Sequence, residues 1–265
     1  MNDQRKGDKM AISLFERTEK KYVLSRTRYA ELFDRIGDKL SDDAYPRSVV
    51  SSIYYDDPQD TMINRSNEKP LYKEKLRLRA YCPVSAGDAV FVELKKKFKG
   101  ITYKRRVQLA RDDAYAYMNG LPYEIALEHS LERGLDLPAL DDWQTAQIVR
   151  EIDATLARYR SLSPSMMIIV DRLAKRTNDG SDVRVTFDID ARWRQNALRF
   201  ESGMQATPLF PDGDVIMEVK CQGSYPLWMA RAFADMKLYP QPCSKVGIAY
   251  TRAHATGAQK EVYCA

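Results

Sequence analysis

Histidine is almost missing from this chain. His129 and His254 are the only two in 265 residues. One lies in a segment with helical spacing, the other in the C-terminal tail, and neither has a carboxylate motif beside it. Imidazole acid–base chemistry and phosphohistidine transfer therefore have no footing. Cysteine is equally sparse. Cys82, Cys221, Cys243 and Cys264 form no C-x-x-C pair. That pattern points to neither a zinc site nor a disulfide framework, and it leaves reduced thiols in a cytoplasmic protein as the expectation. Glycine-rich nucleotide loops of the P-loop and Rossmann kinds are absent, as is the G-x-S-x-G nucleophile elbow. No window approaches ~18 apolar residues. The opening MNDQRKGDKM is polar with no apolar stretch behind it, so neither a membrane span nor a signal peptide is expected. A strong charge excess is missing too. Lys and Arg total 42 against 37 Asp and Glu, a net of +5, milder than a nucleic-acid-binding face calls for. No nucleic-acid partner is expected.

What is present is charge with a period of two. Glu-x-Lys occurs as Glu19/Lys21, Glu93/Lys95 and Glu218/Lys220, while Arg77/Arg79 and Lys104/Arg106 repeat the same spacing. In a strand, residues i and i+2 share a face. Each pair thus aims charge at one side of a sheet while the residues between face the other. An interior lined by Lys and Arg needs water, carboxylates or a polyanion, because an unpaired buried charge costs several kcal/mol or more.

Along the chain, residues 11–24 read as a strand and 27–40 as a helix with Tyr29, Leu32, Phe33, Ile36 and Leu40 on one stripe. A turn-rich stretch ends at Pro46. Strands follow at 49–55, 71–81, 90–98 and 101–109, the last two flanking a hairpin at Lys99-Gly100. Helical spacing dominates 112–159. Strands return at 165–177 and 183–193 around Asn178-Asp179-Gly180, then at 215–221. A helix is expected over 226–238, and a basic stretch, 244–250, comes last. One domain over 11–252 is expected, with a helical insertion at 112–159 and loose tails at 1–10 and 253–265. The fold class is α+β: a closed antiparallel barrel of about eight strands with helices packed outside.

Taken singly, each basic pair is what a solvated strand face looks like. Glu218 is the least surface-like, because Val215, Ile216, Met217 and Val219 flank it. A carboxylate there wants a cation or a hard metal, and a buried structural ion pair is the alternative.

Together, eight segments resemble the VTC domain, the polyphosphate-polymerising branch of the triphosphate tunnel metalloenzymes (CYTH-like). They are EKKY at 19–22, KLRLRAY at 75–81, FVELKKK at 91–97, TYKRRV at 102–107, VDRLAKR at 170–176, DVRVTFDID at 182–190, IMEVK at 216–220 and SKVG at 244–247. The resemblance implies a strand-built tunnel that binds triphosphate through basic side chains and holds a divalent cation on glutamate. Its catalytic cations would be Lys21, Arg77, Arg79, Lys95, Arg172, Arg184, Lys220 and Lys245. Lys104 and Ser244 would bind substrate, joined by Arg106, which shares the parity of Lys104. Glu218 would hold Mn²⁺ or Mg²⁺. The implied activity is transfer of the γ-phosphoryl group of ATP to a growing polyphosphate chain. A triphosphatase of the same fold, or a polyphosphate- or inositol-phosphate-binding module, are the alternatives. The hydrolytic relatives resemble one another in E-x-E-x-K on the first strand; here the positions read Arg17-x-Glu19-x-Lys21, which favours the polymerase branch.

Overall fold

The computed structural model describes residues 17–255, apart from positions 69, 100 and 160. The expected loose tail at 1–10 lies outside the described residues, as does 256–265 of the one expected at 253–265; residues 253 and 254 are helical instead. One antiparallel sheet organises the rest. Its strands are β1 (Arg17–Leu24), β2 (Leu40–Asp56), β3 (Tyr72–Cys82), β4 (Ala89–Phe98), β5 (Ile101–Ala110), β6 (Ser163–Thr177), β7 (Arg184–Arg194), the two-residue β8 (Thr207–Pro208) and β9 (Val215–Gln222). Their order is β1-β9-β7-β6-β2-β3-β4-β5, with β8 pairing β7 alone. The helices are α1 (Arg26–Ile36), α2 (Thr61–Asn67), α3 (Arg111–Met118), α4 (Tyr123–Glu132), α5 (Trp143–Arg158), α6 (Leu227–Asp235) and α7 (Lys245–His254).

Strand alternation splits the sheet into two chemically different faces. On the outer face of β3 to β5, Leu76, Leu78, Val92, Leu94 and Leu109 are sealed beneath α3, α4 and α5. On the outer face of β1, β9 and β7, Tyr22, Leu24, Phe187, Met217 and Val219 pack against α1 and α6. The helical stretch after β5 is thus a cover for the outer wall. Ion pairs fasten α5 there: Arg158 to Glu74 at 3.0 Å, and Lys96 and Arg105 to Glu151 at 3.0 and 3.2 Å. The inner face is different. Its apolar part, Val50, Met166, Ile168 and Val170, is covered by Ile63 of α2 and by Val246 and Ala249 of α7. Most of the remainder is charged.

The sheet is rolled. β1 and β4 stand six positions apart in strand order, which in a flat sheet would be about 29 Å at ~4.8 Å per strand. Yet Lys95 of β4 acts electrostatically on Glu19 of β1. Ser244 and Lys245, at the start of α7, reach Lys75 of β3 and Asp188 of β7 at once.

Rolling stops short of the closed barrel expected from the sequence. Among the described residues no pairing joins β1 to β5. The physical reason lies at the β1 edge. The chain leading into α7 runs beside it, Gln241 N donates to the Lys21 carbonyl at 2.8 Å, and Lys21 Nζ donates to the Cys243 carbonyl at 3.2 Å. A backbone carbonyl that a closing strand would use is already taken.

Two local expectations also change. The turn-rich stretch before Pro46 is part of β2, and the register against β6 shifts between Asp42 and Arg47. Proline has no N–H for a ladder, so it sits where pairing lapses. The basic stretch at 244–250 is helical. Ser244 caps α7 by accepting from Gly247 N at 3.2 Å. Gly247 also leaves room for Asn67 of α2, whose Oδ1 lies 2.9 Å from where a Cβ would stand.

Candidate functional site

Two knots of charge occupy the inner face. The first is built on Glu93, whose side chain is 1% exposed. Arg77 donates to its Oε2 through Nε at 2.9 Å and Nη2 at 2.6 Å; Arg79 Nε stands 3.7 Å from the same atom, and Lys104 Nζ 2.5 Å from Oε1. Burial alone would raise the Glu93 carboxyl. The fields of Arg77, Arg79 and Lys104 outweigh it and hold the group at about 2. The third corner of the Arg77 guanidinium, Nη1, donates to the Tyr54 hydroxyl at 2.8 Å.

The second knot is built on Asp188 and Glu218. Asp188 is wholly buried; Arg172 forks it at 2.7 and 2.9 Å, and Lys245 Nζ reaches it at 2.6 Å. Lys21 and Lys220 each stand 3.4 Å from Glu218, with Lys245 at 3.8 Å. Glu19 shares Lys21 and Lys220 at 3.4 and 3.9 Å. Register explains the grouping, because Lys21 lies opposite Glu218 and Glu19 opposite Lys220. Burial opposes ionisation of Glu218, but Lys21, Lys245 and Lys220 hold it well below the usual carboxylate range.

In and between the knots, basic side chains outnumber carboxylates among the described residues, and their titration shows it. Lys75 is brought down to about 8, first by burial and then by Lys73, Lys21 and Lys95. Lys104 is brought to about 8 by burial, with Arg79 and Arg77 adding repulsion. Lys95 is lowered by burial and by Lys21 and Arg77; Arg79 is lowered by burial and by Arg77. Cations driven toward neutrality by desolvation and by one another are the groups a bound anion stabilises.

The sequence-derived residues fall into a deep set and a rim set. Side chains of Arg77, Arg79, Arg172, Lys245 and Lys21 are 14–22% exposed. Lys95 faces the same interior, between Lys75 and Lys104 in register. Lys220 and Lys104 lie nearer the opening. Arg184 is not drawn into either knot. It is half-exposed and bound to Asp43 at 2.5 Å. Arg106 is exposed at the rim, its guanidinium 4.7 Å from the centre of the Phe91 ring. Ser244 accepts a hydrogen bond from Lys75 Nζ at 2.8 Å.

Lys75 and Tyr54 are among the site residues that escaped the sequence reading. Lys75 shares the parity of Arg77 and Arg79 in KLRLR, so its signal was present two positions earlier. Tyr54 carried no signal at all; only the register that sets it opposite Arg77 places it here. Its phenol is the reverse of the depressed lysines. Burial would raise it, but Arg77, Lys75 and Arg79 bring it down to about 7.

For a divalent cation the donor chemistry fits. Glu218 and Glu19 offer hard carboxylate oxygens on adjacent strands. No set of three or more His, Cys, Asp or Glu groups converges among the described residues, so the protein's share of such a site is small.

A family model for the VTC domain matches residues 16–254. The chain belongs to the VTC domain family. Among solved structures, a Bacillus halodurans protein with the provisional designation adenylate cyclase has 9% identity and a TM-score of 0.50, over 90% of this chain and 96% of that one. A Vibrio parahaemolyticus protein with the same designation has 11% identity and a TM-score of 0.43, over 88% of this chain and 97% of that one. The first of these likenesses supports the fold alone. No curated protein matches the sequence. As a VTC domain the chain carries a triphosphate tunnel fold, here with one seam open, of the kind that handles phosphoryl groups. No helix among its described residues is long and apolar enough to cross a membrane.

Proposed function

We propose that this VTC domain transfers the γ-phosphoryl group of ATP to the end of a growing polyphosphate chain. The observation that carries the reading is an interior in which, among the described residues, basic side chains outnumber carboxylates. Lys21, Lys75, Arg77, Arg79, Lys95, Lys104, Arg172 and Lys245 converge from five strands and one helix end, and Lys75, Arg79, Lys95 and Lys104 are pushed toward neutrality by burial and by one another.

In the transfer, a terminal oxygen of the acceptor chain attacks the γ-phosphorus, and the bond to the β,γ-bridging oxygen breaks to release ADP. The attacking oxygen is already ionised, so no general base is required. That suits a site without histidine. Charge on the transferring group is spread over its equatorial oxygens, and catalysis comes from positioning and electrostatic stabilisation. Arg77 and Arg79, steadied by Glu93, present planar donors for phosphate oxygens. Lys245 and Arg172, steadied by Asp188, present a second set across the trough. Glu218, with Glu19 beside it, would hold Mg²⁺ or Mn²⁺, whose charge offsets that of the gathered phosphates.

The presence of Glu19 next to Glu218 favours a second reading, a triphosphatase, since paired carboxylates can orient a metal-activated water. Purified protein incubated with ATP and Mn²⁺ decides between them. Long acid-labile polyphosphate supports the polymerase, and its loss in Glu218→Gln ties it to this site. Phosphate release from tripolyphosphate without chain growth supports the triphosphatase. Tight binding without turnover leaves a phosphate-binding module.

A further inference from the structure

Beside the deep cations the inner face ends in an aromatic rim. Tyr81 follows Lys75, Arg77 and Arg79 on the inward parity of β3, and Phe91 lies opposite Arg79 on β4. The two rings stand 6.2 Å apart and nearly perpendicular, at 87°. Arg106 covers part of Phe91. Tyr81 is 49% exposed, although rings of its size usually find cover. Its hydroxyl lies within electrostatic reach of Arg172. Other exposed aromatic side chains, such as Tyr45, Trp143 and Tyr239, are not part of this rim.

We infer that Tyr81 and Phe91, with Arg106 beside them, form the docking platform for the base of a nucleoside triphosphate, whose phosphates run inward over Arg79 to Arg77. This rests on the phosphate-binding reading of the trough and deepens it. The spacing agrees. Four residues of extended strand separate Tyr81 from Arg77, about 14 Å at ~3.4 Å per residue, a span that an extended nucleoside triphosphate covers. Every base has a π-face, so a half-open ring next to a basic groove gains contact from any nucleotide. A guanidinium at the platform adds stacking and cation–π attraction. An inorganic triphosphate would use the cations and leave the rings untouched.

The test compares two ligands by calorimetric titration at fixed salt: adenosine β,γ-imidotriphosphate and tripolyphosphate. Tyr81→Ala should weaken the nucleotide about tenfold or more and leave tripolyphosphate unchanged, while Tyr81→Phe, which keeps the ring, should restore nucleotide affinity. Retained tripolyphosphate binding also reports that the variant is folded. Equal weakening of both ligands, or of neither, overturns the platform. So does wild-type protein that binds tripolyphosphate but not the nucleotide, an outcome that leaves the basic trough standing. Wild-type protein that binds neither ligand overturns both.

Discussion

Lys75 and Ser244 lie 169 residues apart in sequence and 2.8 Å apart in space. The bond ties β3 to the first turn of α7, and Lys245, the next residue, ties that turn to Asp188 on β7. One helix start thus spans the interior and holds at its centre a desolvated lysine with no carboxylate partner among the described residues. The cost of that lysine is measurable.

Lys75 titrates near 8 in the folded protein against 10.5 in the unfolded chain. Between those values the unfolded chain holds a proton that the folded protein has released, so stability rises with pH across the window and the penalty is fully present below pH 8. Lys75→Met removes a penalty of about 3 kcal/mol together with the Ser244 hydrogen bond, worth about 1 kcal/mol, so it should stabilise the ligand-free protein at pH 7 by about 2 kcal/mol, read from urea unfolding, with the gain fading toward pH 10. The same variant should bind tripolyphosphate more weakly. A variant that is both less stable and undiminished in binding would show that Lys75 is a structural strut.

Tyr54 carries a second signature. With Arg77, Lys75 and Arg79 around it, the phenol titrates at about 7. Near-UV absorbance at neutral pH should show tyrosinate, and Tyr54→Phe should remove it. Added triphosphate competes for Arg77 and returns the proton to the phenol, so the tyrosinate band should fall as the site fills. A band indifferent to saturating triphosphate would mean that the ligand does not reach Arg77.

Asp188 should govern acid stability. Lys245 and Arg172 hold its carboxyl at about 2 against 3.8 unfolded, in spite of burial. Its contribution is complete above 3.8 and disappears as pH falls through about 2, an effect of about 2 kcal/mol. Asp188→Asn leaves two buried cations unpaired and should cost about 3 kcal/mol at pH 7. The gap between variant and wild type should narrow toward pH 2. A pH-independent gap would assign the loss to packing.

Much of this was legible before any coordinates. Arg77, Arg79, Lys95, Lys104, Lys220 and Glu218 stand on the inner face because a strand turns alternate residues one way, and alternation is written in the sequence. Asp188 and Arg172 could be placed on strands, but their 2.7 Å bond follows from the β6–β7 register, which no local pattern states. Arg184 had the right parity, yet it lies at the sheet's end, where Asp43 claims it. Lys245 was legible as a basic residue of a recognisable segment; that it enters the trough from a helix was not.

Residue order alone settled which side of each strand is apolar, since side chains alternate and water sorts them. The closed barrel expected from that alternation did not follow, because alternation does not fix whether the two edge strands meet. That depended on where the chain before α7 came to rest, because the Lys21 carbonyl already accepts from the Gln241 N–H where a closing strand's N–H would have to donate. How far each lysine is stripped of water and of carboxylates is likewise a product of assembly, because desolvation and field strength depend on distances that arise only when strands far apart in sequence roll around the same space.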